Sequence, residues 1–210
     1  MIVLDVETSG IEPLQHSIVS LGALELEKPE NRLYLECRVW EGASVMDESL
    51  SINGYTIEEV CDVNKMTERE LIRNFLGWTE TVEDKTLAGQ NVSFDRDFVK
   101  AGCLRGGFSF PFAFRTIDTH SLCYMHMIQH KVKPPFDSKR GHSALDLDQV
   151  LRYVGIPAEP KPHNALTGAL CHAEVIHRLL YGEQLLSEFA DFPSPFSNAS
   201  FAEQSWKVVK

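Results

Sequence analysis

The first ten residues, Met1-Ile-Val-Leu-Asp5-Val-Glu7-Thr8-Ser9-Gly10, constrain the chain more than any other stretch. Ile2, Val3 and Leu4 form an apolar run that reads as a buried strand, and two carboxylates follow it, two residues apart. Side chains at i and i+2 of a strand share a face, so Asp5 and Glu7 converge on one point. Like charges brought together beside a core strand repel unless a cation sits between them. Oxygen donors select a hard divalent ion, Mg²⁺ or Mn²⁺. A strand ending in a solvated turn has the same pattern, and so short a motif does not separate the two readings by itself.

The 210 residues predict one domain, residues 1–182, followed by a C-terminal tail, residues 183–210. At 43% hydrophobic, the chain has enough apolar material for a substantial core, yet no apolar run long enough to span a bilayer. Met1 leads into a strand rather than a basic leader, and the five cysteines are scattered, without CxxC spacing. These features predict a cytoplasmic protein with no disulfide framework, no zinc site and no membrane partner. The formal net charge of −10 argues against coating long duplex nucleic acid, which requires a basic surface. An acidic protein acts on phosphates where metal ions neutralise the contact locally, so a small or terminal substrate fits best.

Along the chain, residues 17–27 alternate as a second strand, Lys28-Pro29-Glu30-Asn31 reads as a turn, and residues 32–40 alternate as a third strand. Three strands joined by short turns predict an antiparallel meander with the first, most apolar strand toward the middle. A short helix ends at Asn53-Gly54, and Thr56 and Thr67 each open a helix with a capping-box pattern. Lys85–Gln90 is a strand candidate, a helix follows from Ser93 to Cys103, and Arg115–Thr119 reads as a strand entering a helix near Ser121–Gln129. Residues 131–142 read as a basic loop, Ser143 as the cap of a helix over 144–154, residues 157–162 as a Pro-rich linker and residues 165–181 as a helix. Beyond Gly182 the chain reads as an extended tail docked through its Phe residues. The order predicts an α/β fold with a mixed five-stranded sheet and helices on both faces.

Three further stretches bear on the opening motif. Asn91-Val-Ser-Phe94-Asp95-Arg-Asp-Phe98 puts Asp95 in the first turn of a helix, where the dipole favours its charge. Asp118-Thr119 stands at a strand end. Pro162-His163-Asn164-Ala165-Leu166 puts a histidine at the head of the last long helix, where in isolation it reads as a surface cap, though it also suits a general base. In order and spacing, this set resembles the DEDDh exonucleases, the superfamily of polymerase proofreading subunits, ribonuclease T and oligoribonuclease, over roughly residues 1–182. The resemblance implies a ribonuclease H-like fold and metal-dependent 3′→5′ removal of nucleotides from DNA or RNA ends. Asp5, Glu7 and Asp95 would hold up to two Mg²⁺ or Mn²⁺ ions, and His163 would take the proton from the attacking water, with activity rising toward alkaline pH. Thr8, Asn91 and Phe94 would contact the substrate, with Leu50–Ile52 and the basic cluster Lys131, Lys133, Lys139 and Arg140 as further candidates. A homodimer is left open.

The pattern breaks at one place. The family motif His-x-Ala-x-x-Asp reads His163-Asn-Ala-Leu-Thr-Gly168 here, so glycine stands where the fourth acidic ligand belongs. Three readings follow: a slower site with two carboxylates on that metal, a substitute ligand such as His172, or a non-catalytic module that binds nucleic acid or protein. A phosphoesterase for mono- or dinucleotides is a further alternative. If the defect lies at Gly168 alone, Gly168→Asp is expected to raise activity.

Overall fold

A computed structural model describes residues 1–196. They divide into two compact units, one of residues 1–119 with 159–173 and one of residues 120–158 with the described residues from 174 on.

The first unit carries a five-stranded sheet. Its strands are β1 (Ile2–Thr8), β2 (Ile18–Glu25), β3 (Lys28–Glu36), β4 (Leu87–Gly89) and β5 (Ile117–Asp118), in the order β3-β2-β1-β4-β5. β1 pairs antiparallel with β2, β2 antiparallel with β3, β1 parallel with β4 and β4 parallel with β5. The mixed sheet and the central, apolar β1 match the expectation. The hairpin between β2 and β3 turns at Leu26-Glu27, not at the predicted Lys28–Asn31, and β3 already begins at Lys28. Pro29 is tolerated because β3 lies at the edge of the sheet, where a missing N–H breaks no ladder.

The period of two along β1 sorts its side chains. Ile2, Leu4 and Val6 join a buried cluster with Leu71, Ile72 and Phe75 of α3 (Glu68–Thr79) and Phe98 and Val99 of α4 (Ser93–Gly106). Burying such side chains contributes about 1.5–3 kcal/mol each. Val3, Asp5 and Glu7 therefore face the opposite side, where α7 (Ala165–Tyr181) contributes residues 165–173 to this unit. Gly22 of β2, the cross-strand partner of Asp5, makes that approach possible: a Cβ on it would lie 2.2 Å from the carbonyl oxygen of Ala165. α1 (Asp47–Asn53) ends at Gly54 in the left-handed conformation, and α2 (Ile57–Val60) and α3 both start with complete capping boxes, at Thr56 and Thr67.

The second unit contains α5 (Thr119–Gln129) from His120 on, a small hairpin of β6 (Phe136–Asp137) and β7 (His142–Ser143), α6 (Leu147–Tyr153) and the end of α7. The predicted basic loop thus contains a hairpin. Ser143 lies in β7, and α6 is capped instead by Asp146, whose side chain accepts from the Gln149 N–H at 2.9 Å. Arg178, fully buried, donates to Glu174 at 2.6 Å and to the carbonyls of Val154 and Phe192 at 3.0 and 2.6 Å. Glu174 also accepts from the Leu186 N–H at 2.9 Å, which ties down the chain after α7. Phe189 is buried and the Phe196 ring lies 4.6 Å from His126, as a tail docked through Phe requires; Phe201 lies outside the described residues.

Candidate active site

Asp5 and Glu7 stand on one face of β1, as their spacing requires. Asp95 reaches the same strand from the first turn of α4: its Oδ1 accepts from the Val6 N–H at 2.9 Å, between the two acids. That bond satisfies a backbone donor near the strand end and fixes the carboxylate, which is 3% exposed. Asn53 at the end of α1 donates to the Thr8 carbonyl at 3.1 Å, and the His163 N–H donates to the Ile52 carbonyl at 3.2 Å. α1 thereby holds together the end of β1 and the approach to α7. Asn164 caps α7, its Oδ1 accepting from the N–H groups of Leu166 and Thr167 at 3.1 and 3.2 Å, while its Nδ2 donates to the Tyr34 hydroxyl at 3.0 Å.

His163 thus stands beside the β1 acids. One ligand atom each from Glu7, Glu159 and His163 lie within 4.8 Å of one another, and His163 Nδ1 is 3.8 Å from Glu159 Oε2. Glu159 is the residue that sequence reasoning missed. It sits inside the stretch read as a Pro-rich linker, Pro157–Pro162. The available signal was its spacing, a carboxylate four residues ahead of the histidine.

Gly168 meets Asp5 directly. A Cβ at position 168 would lie 2.3 Å from Asp5 Oδ2 and 2.8 Å from its Cγ, so the aspartate occupies the space a side chain there would take. His172 is buried elsewhere. Its Nδ1 lies 3.3 Å from where a Cβ on Gly89 would be and has no hydrogen-bond partner among the described residues. Burial lowers its pKa to about 4, so it is neutral there, and it is not in the cluster with Glu7 and His163.

Of the other expected residues, Thr8 ends β1 and its hydroxyl donates to the Gly10 carbonyl at 2.7 Å. Asn91 is exposed in the turn before α4, with φ 49°. Phe94 is half-buried and packs against Phe98 at 4.8 Å as part of the core cluster. Leu50 is buried and Ile52 exposed, both on α1. Lys131, Lys133, Lys139 and Arg140 belong to the second unit, as does Ser143, which lies 3.0 Å from His120.

The site concentrates buried negative charge. Burial, then the charges of Asp95, Glu7 and Glu159, hold the Asp5 carboxyl well above its ordinary range. Burial, then the charge of Glu159, pushes Glu7 up to about 7. Burial also raises Asp95 to about 7, against the opposing Val6 N–H and with the charges of Glu7 and Asp118 adding to it. Every charged neighbour acting on Asp5 is a carboxylate, so the group is relieved only by protons or by a bound cation. The carboxylate oxygens fit Mg²⁺ or Mn²⁺.

The Exonuclease family model matches residues 2–176. Ribonuclease T of Haemophilus influenzae (strain PittGG) is 29% identical over 167 residues, covering 69% of this chain and 72% of its own. Ribonuclease T of Yersinia pestis is 27% identical over 165 residues, covering 69% and 77%. Among solved structures, E. coli exonuclease I in complex with a dA16 oligonucleotide aligns with a TM-score of 0.66 at 15% identity, over 86% of this chain, which spans 40% of that protein. The nuclease domain of 3′hExo, a DEDDh family member bound to rAMP, aligns at 0.65 with 18% identity, over 88% of this chain and 93% of its own.

Proposed function

The chain belongs to the DEDDh 3′→5′ exonucleases, and on that premise we propose a substrate and a mechanism for it. It hydrolyses nucleotides from the 3′ ends of single-stranded or short DNA or RNA, and it does so despite Gly168. The observation that carries this reading is the convergence on one strand end of Asp5, Glu7 and Asp95 with a histidine, His163, beside them. Members of this family are divalent-metal dependent. Asp5, Glu7 and Asp95 would hold the ions. The chemistry that divalent cations supply in such sites is charge neutralisation at the scissile phosphate and activation of water.

The protein's own groups do the rest. His163, whose side chain is 34% exposed, takes a proton from water at an imidazole nitrogen as the water oxygen bonds to phosphorus. The bond from phosphorus to the 3′ oxygen of the remaining strand breaks, and that oxygen gains a proton from solvent. The products are a nucleoside 5′-monophosphate and a strand one nucleotide shorter. The Val6 N–H keeps Asp95 aimed at the site through these steps. The net charge of −10 favours a terminal substrate over a long duplex.

The test is a 5′-labelled single-stranded DNA or RNA oligonucleotide incubated with Mg²⁺ or Mn²⁺. The expected result is a ladder of products shortening by one nucleotide, abolished by Asp5→Asn. Binding without shortening, in either metal, would instead identify a non-catalytic nucleic-acid binding module. Cleavage confined to dinucleotides would identify a small-substrate phosphoesterase.

A further inference from the structure

We infer that Glu159 supplies, from the segment ahead of α7, the carboxylate that the family takes from the position of Gly168. The inference rests on the metal site proposed for Asp5, Glu7 and Asp95.

A side chain at position 168 requires the Asp5 carboxylate to move, because Asp5 Oδ2 lies 2.3 Å from where its Cβ would be. Glu159 approaches from another direction. It is 9% exposed, and its carboxylate comes within 4.8 Å of ligand atoms on both Glu7 and His163. It is also the charge that acts most strongly on Glu7, and one of the three that act on Asp5. A third carboxylate buried against two others is costly unless a cation is shared among them. His172 does not compete for the role, since its ring is buried against the backbone at Leu4 and Gly89. A second role for Glu159, holding the His163 imidazole in place, requires a hydrogen bond, and 3.8 Å is too long for one.

The local sequence explains how a carboxylate arrives there. Pro160 and Pro162 restrict the backbone on either side of Lys161, and the chain enters α7 with the Asn164 cap already made. Glu159 and His163 are thus carried into the site by one short, stiff segment.

Mn²⁺ affinity, read by electron paramagnetic resonance or calorimetry, tests the assignment on the full chain. Glu159→Gln is expected to weaken Mn²⁺ binding at least about tenfold, as removal of a direct ligand should exceed the effect of a supporting group. Asp5→Asn, measured alongside, reports on the underlying metal site. If Asp5→Asn loses Mn²⁺ while Glu159→Gln binds it within about twofold of wild type, the role of Glu159 falls and the metal site stands. If both variants keep wild-type affinity, the metal site falls and takes this assignment with it. A changed pH dependence of activity in Glu159→Gln, with Mn²⁺ affinity intact, would reduce Glu159 to positioning His163 and also overturn the inference. Wild-type crystals soaked in Mn²⁺ give an answer that needs no variant to fold: an anomalous peak ligated by Glu159 supports it, and an ion on Asp5 and Glu7 with Glu159 turned away refutes it.

Discussion

The Cβ that Gly168 lacks would lie 2.3 Å from Oδ2 of Asp5. A glycine in a helix costs about 1 kcal/mol relative to alanine, and here that cost brings the first turns of α7 against the face of β1 that carries Asp5. Gly168→Ala is therefore expected to push the Asp5 carboxylate aside and to lower activity by about 100-fold, the scale of a 1 Å misplacement at a reacting centre. Gly168→Asp, which the family pattern alone predicts to raise activity, carries the same Cβ and is expected to lower it too, with or without Glu159, because removing Glu159 does not clear Asp5. Single-turnover cleavage rates of the three variants, Gly168→Ala, Gly168→Asp and Gly168→Asp with Glu159→Gln, check this. A gain in the single Gly168→Asp variant would show that Asp5 yields freely.

Gly22 makes a parallel demand on the other side of the hairpin. It is paired with Asp5, and a Cβ there would meet backbone of Ala165 and Leu166 at 2.2–2.3 Å, with no flexible side chain to give way. Gly22→Ala is expected to destabilise the fold by about 1–3 kcal/mol, as overpacking does. It should also lower nuclease activity in protein that remains folded, because the head of α7 carries His163. Urea unfolding and cleavage rates measured on one preparation separate the two effects, and unchanged stability would contradict the close packing of α7 on β2.

Much of the site was legible because its determinants are local. Asp5 and Glu7 share a face through the period of a strand, Asp95 follows from a helix start, and the Thr56 and Thr67 capping boxes fix two helix boundaries. The misreadings arose where tertiary context decides. Lys28–Asn31 has turn composition, yet edge position lets Pro29 sit in a strand, and Ser143 has cap composition, yet Asp146 makes the cap. Glu159 was missed for a different reason. Its four-residue lead on His163 is a spacing signal, but nothing local brings a carboxylate of a Pro-rich segment beside Glu7.

Asp95 separates charge from structure. Its Oδ1 accepts from the Val6 N–H, and an amide oxygen can keep that bond. Asp95→Asn is expected to leave the metal-free protein as stable as wild type or more so, because a buried carboxylate with a raised pKa has been replaced by a neutral group. The same substitution is expected to weaken Mn²⁺ binding and cleavage by more than about tenfold. Thermal unfolding in chelator, set against cleavage in Mn²⁺, gives both numbers. Equal loss of stability and activity would mean that Asp95 acts through the fold alone.

The same raised acids fix how stability depends on pH. Glu7 and Asp95 titrate near 7 in the folded, metal-free protein, against ordinary values of 4.5 and 3.8. Between those limits the folded state holds protons that the unfolded chain has released, so stability falls as pH rises. The melting temperature in chelator is therefore expected to drop from about pH 5 to about pH 8, opposite to a protein whose carboxylates are stabilised by ion pairs. A bound cation requires the deprotonated carboxylates and stabilises only the folded state, so Mn²⁺ should raise the melting temperature most at the alkaline end. Binding should also release protons, and the calorimetric enthalpy near pH 6 should vary with the ionisation heat of the buffer. A melting temperature independent of pH in chelator, with no buffer dependence of the Mn²⁺ enthalpy, would mean that these carboxylates are not the groups the cation relieves.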